Sequence, residues 1–566
     1  MRLIVLATAT LLVSSTHAQV LRVDPDANNG GNGSSWARAF NSLHLALDAA
    51  RTGTEIWVRE GEYVPRIPNT RDATFSVPGG VQLYGGFQGG ETSRSQRRPD
   101  NNPTKLTGAG FAYTVVTILG DNAVIDGFII GEGLADGIGG ARSRGAGIYA
   151  EDAAPIIRNT TFSGHQSNSD GAAITLNGAS PVAARIENCM FEENTGVFTV
   201  SSEIQLVLSD SEISSNDASA LQLEGTGTHF VTRALVRVND AGLDTIRVDM
   251  SSLSAFTQFV DCTIASNNAS QTGGIAYRGL GDHEVISCRI RGNEQSTPVG
   301  SAGINVVLEE ADDSVTIENT AIIGNVSEAS AGGIAKDSPA ELNVINTTIV
   351  GNRVPGPSGA GANIASGITN FRNTIIYDNI FSGPGGNQRS SVLVAPGATV
   401  IAQNSCIQYL ASGIGAFSIL FADSIAANPG LVDPDGNDNT FGTADDNIRP
   451  AAGSPVIDRG NSLFVGPFVF ADIYEQPRFR DDTGTADTGT ADGSGNVVDI
   501  GAAEFQGTTP SDCLADTNGD GLVNPADFNA WVIAFNTQSP ACDQNEDGLC
   551  NPADFNAWVI NFNAGC

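Results

Sequence analysis

One seven-residue phrase returns eight times along the chain: a residue that is usually small and polar, a small residue, any residue, Ile/Phe/Val, two more, then Asn. It reads NCMFEEN at 188–194, DSEISSN at 210–216, RALVRVN at 233–239 and DCTIASN at 261–267. It continues as SCRIRGN at 287–293, NTAIIGN at 319–325, NTTIVGN at 346–352 and NTIIYDN at 373–379. Successive starts lie 22, 23, 28, 26, 32, 27 and 27 residues apart, and weaker turns, DGFIIGE at 126–132 and NTTFSGH at 159–165, come first. Many periods carry a second signal, as in GAGIY (145–149), GGIAY (273–277), AGINV (302–306) and GGIAK (332–336).

A period in the twenties, made of short β-branched strands and Gly/Asn/Ser turns, cannot bury an apolar face one unit at a time. Stacking does it. Each period becomes a coil of two or three strands, hydrogen-bonded in parallel to the coils above and below, about 4.8 Å apart. Residues at one phrase position then form ladders. Phe191, Ile213, Val236, Ile264, Ile290, Ile322, Ile349 and Ile376 are expected to fill the core. The Asn column from Asn194 to Asn379 is expected at a bend, its amides bonded to each other and to turn backbone.

These phrases resemble the right-handed parallel β-helix superfamily (pectate-lyase-like) and also polymorphic outer-membrane-protein repeats. The resemblance covers roughly 20–505. The stretch GNGSSWARAFNSLHLALDAARTGTEIWVREGEYV (31–64) is similar to that family's opening, a capping helix with Leu43, Leu47 and Ala50 on one face, then strands. AAGSPVIDRGN (451–461) and VDIGAAEF (498–505) look like closing phrases of secreted choice-of-anchor β-helix proteins. The expected fold is mainly β: a solenoid over 19–506, with an N-terminal cap (19–66) and a closing region (423–506). A linker (507–512) and a small α-helical module of paired calcium loops (513–566) follow.

Met1-Arg2, an apolar run from Leu3 to Val13 and small residues up to Ala18 make residues 1–18 a secretory signal peptide. The expected location is secreted, extracellular or cell-surface, with no membrane-spanning segment after cleavage. Net charge is −34, and Lys105 and Lys336 are the only lysines, so no basic strip exists to neutralise phosphates. Nucleic acid is excluded as a partner.

Relatives of this fold include pectate lyases and glycoside hydrolases, which use clustered carboxylates with an Arg or Lys, or a spaced acid pair. Asp126, Asp136, Asp210, Asp261, Glu309, Asp312 and Asp313 are the acids to weigh, with Arg158, Arg289 and Arg291 as partners. Their columns are not distinctive and turn-forming Asp explains most of them, so no catalytic residue is singled out. His44, His165, His229 and His283 are scattered, and neither a zinc site nor a Ser/His/Asp triad is expected. Cys189, Cys262 and Cys288 share one column and read as stacked core thiols rather than a 262–288 disulfide. The acidic loop DPDGNDNTFGTADDN (433–447) offers Asp433, Asp435, Asn437, Asp438, Asp445 and Asp446 around a Gly turn, an additional calcium candidate balanced against an ordinary Asx-rich turn.

The C-terminus carries NPADFNAWVI twice, at 524 and 551. Before each copy the oxygen ligands of a twelve-residue calcium loop fall into place: Asp516, Asn518, Asp520, the Leu522 carbonyl, Asn524 and Asp527; then Asp543, Asn545, Asp547, the Leu549 carbonyl, Asn551 and Asp554. Gly521 and Gly548 stand at the sharp turn. Asn524 and Asn551 then cap helices whose first residues are Pro525 and Pro552. Phe528, Trp531, Val532 and Phe535, repeated by Phe555, Trp558, Val559 and Phe562, make two aromatic faces that can be buried only against each other. The loops end in Asp, and no helix precedes the first. In both respects residues 512–566 resemble a type I dockerin, which implies calcium as cofactor and a cohesin-like or cell-envelope anchoring partner. Pro525-Ala526 and Pro552-Ala553 depart from the usual contact residues, and Cys513, Cys542, Cys550 and Cys566 are disulfide candidates with three connectivities open. The functional expectation is a surface β-helix binding glycan or a protein partner and tethered by its tail. The alternative is a polysaccharide lyase or glycoside hydrolase.

Overall fold

A computed structural model describes residues 19–65, 70–297, 300–328, 330–356, 358–383, 386–389, 391–412, 418–482, 484–507, 514–518, 523–537, 539–545 and 549–564. The expected signal peptide at 1–18 lies outside them, as do Cys513, Asp520, Gly521, Leu522, Asp547, Gly548 and Cys566.

Residues 20–422 wind into a parallel β-solenoid with three long sheets. Sheet 1 runs from Val20–Val23 to Ser418–Ala422, sheet 2 from Gly61–Tyr63 to Cys406–Ile407, and sheet 3 from Phe75–Val77 to Leu410–Ser412. The strand Val20–Val23 comes before the cap helix and pairs with Glu55–Arg59. Helix α1 (Leu43–Ala49) then buries Leu43, Ala46 and Leu47 over the open end of the stack.

The repeated phrase sets the coil geometry through two left-handed residues. Its first and sixth positions have positive φ, from 45° to 82°, in ten consecutive coils, from Gly127/Glu132 and Asn159/Gly164 to Asn373/Asp378. Each pair brackets the three-residue strand of sheet 2. That explains the Asn, Asp, Ser and Gly at these positions, which tolerate positive φ best. The phrase quoted at 126–132 is therefore offset by one, since the turn residue is Gly127. At the corner entering sheet 3 the coils approach so closely that a Cβ on Gly303 would lie 2.2 Å from the Gly333 carbonyl oxygen. This accounts for the glycines of the second signal.

All eight expected core residues are buried, and their strands stand in register, Phe191 opposite Ile213 and onward to Ile376. The Asn column is buried too. Each Nδ2 donates to the next Asn Oδ1 at 2.9–3.0 Å and to a core-position carbonyl one coil back, as Asn267 does with Asn293 and Val236. Main-chain N–H groups share the same acceptors. Every amide in the ladder is satisfied, which is the condition for burying it.

The closing region does not cap the far end of the stack. It folds back along the outer face of sheet 2. Ile448, Ile473, Ala502 and Ala503 pack on Ala321, Ile323 and Val350, and Val456 and Ile500 pack on Ile375 and Cys406. The reason is written in the outward positions of that sheet. Where the closing region packs, they include Ala321, Ile323, Val350, Ile375 and Cys406; in earlier coils Met190 and Leu235 are mixed with Thr161, Ser163, Glu192, Glu212 and Arg237. The two closing phrases meet: Gly460 N–H donates to the Val498 carbonyl, Ile500 N–H to the Val456 carbonyl, and Asp458 N–H to Asp499 Oδ1. Arg478 is fully buried between them, bonded to the Asp499 and Gly501 carbonyls and facing Glu504.

In the C-terminal module, α2 (Pro525–Thr537) and α3 (Pro552–Ala564) join their aromatics. Phe528 meets Phe555 and Trp558, and Trp531 meets Phe555. Cys542 and Cys550 form a disulfide.

Candidate functional site

Because the closing region covers only the later coils of sheet 2, an open groove runs along the edge between sheets 1 and 2. Its upstream wall is the 88–103 loop, held by Arg94 on Glu55 and by Arg97 on Asp126. Its downstream wall is the closing segment at 466–475, fastened by Asn319 Nδ2 to the Ala471 carbonyl and by Gly466 N–H to Glu318.

The upstream part is a cleft of about 870 Å³ lined by Arg94, Arg97, Asn159, Asn188, Asp210 and Arg233. Its polar groups are paired along the stack. Asp126 accepts from Arg97 and from Asn159 Nδ2, and Asn159 Oδ1 accepts from Asn188. Asp210 takes a two-pronged contact from Arg233 at 2.5 and 2.7 Å, which holds its carboxyl below the usual range. Arg158 pairs with Glu187 one coil on.

Downstream along the same turn column lies a second cleft of about 710 Å³, with Gln258, Asp261, Glu284 and Glu318 on the solenoid side. Phe468 and Phe470 stand on its opposite lip, 87% and 71% exposed. Gln258 donates to Glu284 at 2.6 Å. Asp261 and Glu318 have no ion pair among the described residues, and burial pushes both carboxyls above the usual carboxylate range. Arg233 of the upstream cleft and Asp261 of the downstream one hold the same phrase position in successive coils.

The sequence candidates therefore divide. Arg158, Asp210 and Asp261 line the groove edge, and Asp126 is buried behind it under Arg97 and Asn159. Asp136 pairs with Arg71 away from it. Glu309, Asp312 and Asp313 lie between a sheet 3 strand and the next sheet 1 strand, where Asp313 accepts the Gly281 N–H. Arg289 and Arg291 are roofed by the closing region, donating to the Ile473 and Gly442 carbonyls. Phe468 and Phe470 escaped the sequence reading. An aromatic pair in a segment without repeats carries no signal until the segment is seen to fold back.

Two of the four histidines come together in space. His229 and His283 occupy one interior column with Thr257 between them, and the Thr257 hydroxyl meets His283 Nδ1 at 2.9 Å. Burial lowers both imidazoles to about 4, so they are neutral core residues. Cys189, Cys262 and Cys288 are free and buried, with the Cys262 N–H directed at Cys288 Sγ, 3.4 Å away. In the 433–447 loop, Asp445 accepts from Asn437 N–H and Thr443, Asp438 from Thr440 N–H, and Asp446 from Gly442 N–H. These are the bonds of an Asx-rich turn, and they leave Asp433 and Asp435 at its rim.

In the tail, the described residues of each loop bond to its final Asp. Asp527 is fully buried and accepts from Asn518 and Asn524 N–H groups; Asp554 does the same with Gln544, Asn545 and Asn551. Asn524 and Asn551 cap α2 and α3 through the Ala526 and Ala553 N–H groups.

Residues 205–381 match the family described as "Right handed beta helix region", and residues 26–205 match "Protein of unknown function (DUF1565)". No curated protein matches the chain. Among solved structures, pectate lyase Pel9A is 14% identical, covering 86% of this chain and 96% of its own, with a TM-score of 0.30. The A-module of the Azotobacter vinelandii mannuronan C-5 epimerase AlgE4 is 14% identical over 68% of this chain and 91% of its own, TM-score 0.30. A rhamnogalacturonan lyase is 8% identical over 76% and 96%, TM-score 0.25. Likeness at this level transfers no chemistry.

Proposed function

We propose that this chain is a glycan-binding β-helix, exported by residues 1–18 and held at an extracellular or cell-surface location by its C-terminal module. The observation that carries the reading is the exposed Phe468/Phe470 lip facing Gln258, Glu284 and Asp261 across an open cleft. Aromatic faces suit the C–H faces of a sugar ring, and planar amides and carboxylates suit its hydroxyls. Exposed Phe residues rimmed by polar groups otherwise have no structural benefit. The groove continues upstream over Asn188, Asp210 and Arg233, long enough for several sugar units of an extended chain.

The tail supports tethering. Its donor set is all oxygen, as a hard cation requires, and the burial of Asp527 and Asp554 inside their loops favours calcium there. The dockerin resemblance makes a cohesin-like or cell-envelope protein the partner.

The test is a binding screen of the full chain, with calcium, against neutral and acidic polysaccharides. Phe468→Ala/Phe470→Ala should weaken binding to the captured polysaccharide at least tenfold. Binding unaffected by that variant sinks the groove assignment.

A second reading, a polysaccharide lyase or hydrolase, is favoured by one observation: Asp261 and Glu318 share the cleft as carboxyls raised by burial, the state a general acid needs. Reducing-end or unsaturated product, lost in Asp261→Asn, would establish it in place of simple binding.

A further inference from the structure

The closing region contains an acidic cluster that neither the groove nor the tail uses. Asp458, of the phrase AAGSPVIDRGN, lies with Asp481 and Asp487 so that one carboxylate oxygen of each falls within 4.8 Å of the others. Three carboxylates so close repel one another and need a countercharge. No ion pair reaches any of them among the described residues.

Acidic residues gathered at a surface are commonplace. Here Asp458 makes the difference, because it is fully buried and its Oδ2 has no hydrogen-bond partner. Its Oδ1 receives only a long contact from Asp482 N–H, at 3.4 Å. A buried carboxylate oxygen without a donor is costly unless something else satisfies it. Its carbonyl accepts from Thr488 and Gly489 N–H groups, which ties the chain beside Asp487 to this residue and keeps a carboxylate oxygen of Asp487, with one of Asp481, within 4.8 Å of one of its own. Asp458 itself is positioned by its N–H bond to Asp499 Oδ1 and has φ of +50°.

We propose that Asp458, Asp481 and Asp487 bind a hard divalent cation, calcium, which pins Asp481 and Asp487 to the closing phrases. Three carboxylates supply oxygen ligands only, and the exposed side of Asp481 and Asp487 leaves room for water to complete six or seven positions. The cation would satisfy the buried oxygen and offset the repulsion together. An affinity of about 10⁻⁴–10⁻³ M, that of extracellular calcium modules, is expected for so open a site.

The test uses the full chain with both tail loops disabled by Asp516→Ala/Asp543→Ala, so that failure of the tail reading does not affect the outcome. Equilibrium dialysis with calcium alone should show one more bound ion per chain in this background than after adding Asp481→Asn/Asp487→Asn. Both of these residues are exposed, so the substitutions leave folding intact. Calcium should also raise the melting temperature of the background, and this rise should vanish in the Asn variant. Unchanged stoichiometry and unchanged calcium response overturn the site. So does loss of the ion on Asp433→Asn/Asp445→Asn instead, which would assign it to the other acidic loop.

Discussion

The main-chain N–H of His165 bonds Asn194 Oδ1 at 3.1 Å, and through that contact a histidine heads the buried asparagine ladder. Its Nδ1 accepts from Gly133 N–H, and its Nε2 donates to the Ile130 carbonyl at 3.0 Å. An asparagine at this position would make the same two bonds with Oδ1 and Nδ2. His165→Asn should therefore leave stability within about 1 kcal/mol. His165→Ala, which orphans the Gly133 and Ile130 groups and opens a void, should cost about 2–5 kcal/mol. Thermal unfolding of the two variants checks this; equal losses would contradict the mimicry.

The same pair of proteins separates the histidine's acid response from that of the carboxyls. Burial lowers the His165 imidazole to about 4, against about 6.5 unfolded. Between these values the unfolded chain binds the extra proton, so the stability conferred by a neutral His165 is whole above pH 6.5 and is lost as pH falls toward 4. Relative to the wild type, His165→Asn should gain up to about 3 kcal/mol across that window. Melting curves at pH 7 and pH 4.5 measure the difference, and a constant offset would refute it.

Lys336 works in the opposite range. It stands in an interior column of sheet 3 between Val306 and Ile364, its Nζ donating to the Ser338 and Ser366 carbonyls. Burial lowers its ammonium to about 8, so the unfolded chain holds more protons between pH 8 and 10.5 and stability rises with pH there. Lys336→Met fills the column without a charge. The difference between wild type and variant should shift in favour of the wild type by about 1–3 kcal/mol from pH 7.5 to 10.

The solenoid was legible because its evidence repeats. Eight Ile/Phe/Val and eight Asn at one phase leave few alternatives, and all proved buried in register. Single departures from the repeat were harder to read. His165 stood at the ladder position in NTTFSGH, yet a histidine is not recognised as an amide until its bonds are seen. The groove was less legible still: which coils are covered depends on the outward residues of sheet 2, and what covers them lies far downstream in the chain. Asp210 and Asp261 share a phrase position, but only the first finds an arginine, Arg233, in the coil above it.

The solenoid thiols should be inert. Cys189, Cys262, Cys288 and Cys406 are free and buried, and burial pushes Cys189 and Cys406 up to about 12. Thiolate is the reactive form, so a thiol reagent should label none of the four in the native protein and all four after unfolding. Rapid labelling of Cys262 or Cys288 in the folded chain would contradict the stacked-thiol arrangement.

In the tail each tryptophan bonds across to the beginning of the other copy's loop. Trp531 Nε1 donates to the Cys542 carbonyl, and Trp558 Nε1 donates to Thr517 Oγ1. Phe528 and Phe555 lie between the two rings. Neither half can hold its aromatics in place alone, so the two loops should gain and lose order together. Asp543→Ala, confined to the second loop, should shift the emission of Trp531 as well as Trp558, and chelating calcium should reproduce that shift in the wild type. A Trp558→Phe background isolates the first reporter. If Trp531 emission there is indifferent to Asp543→Ala, the copies fold independently and the duplication needs another explanation.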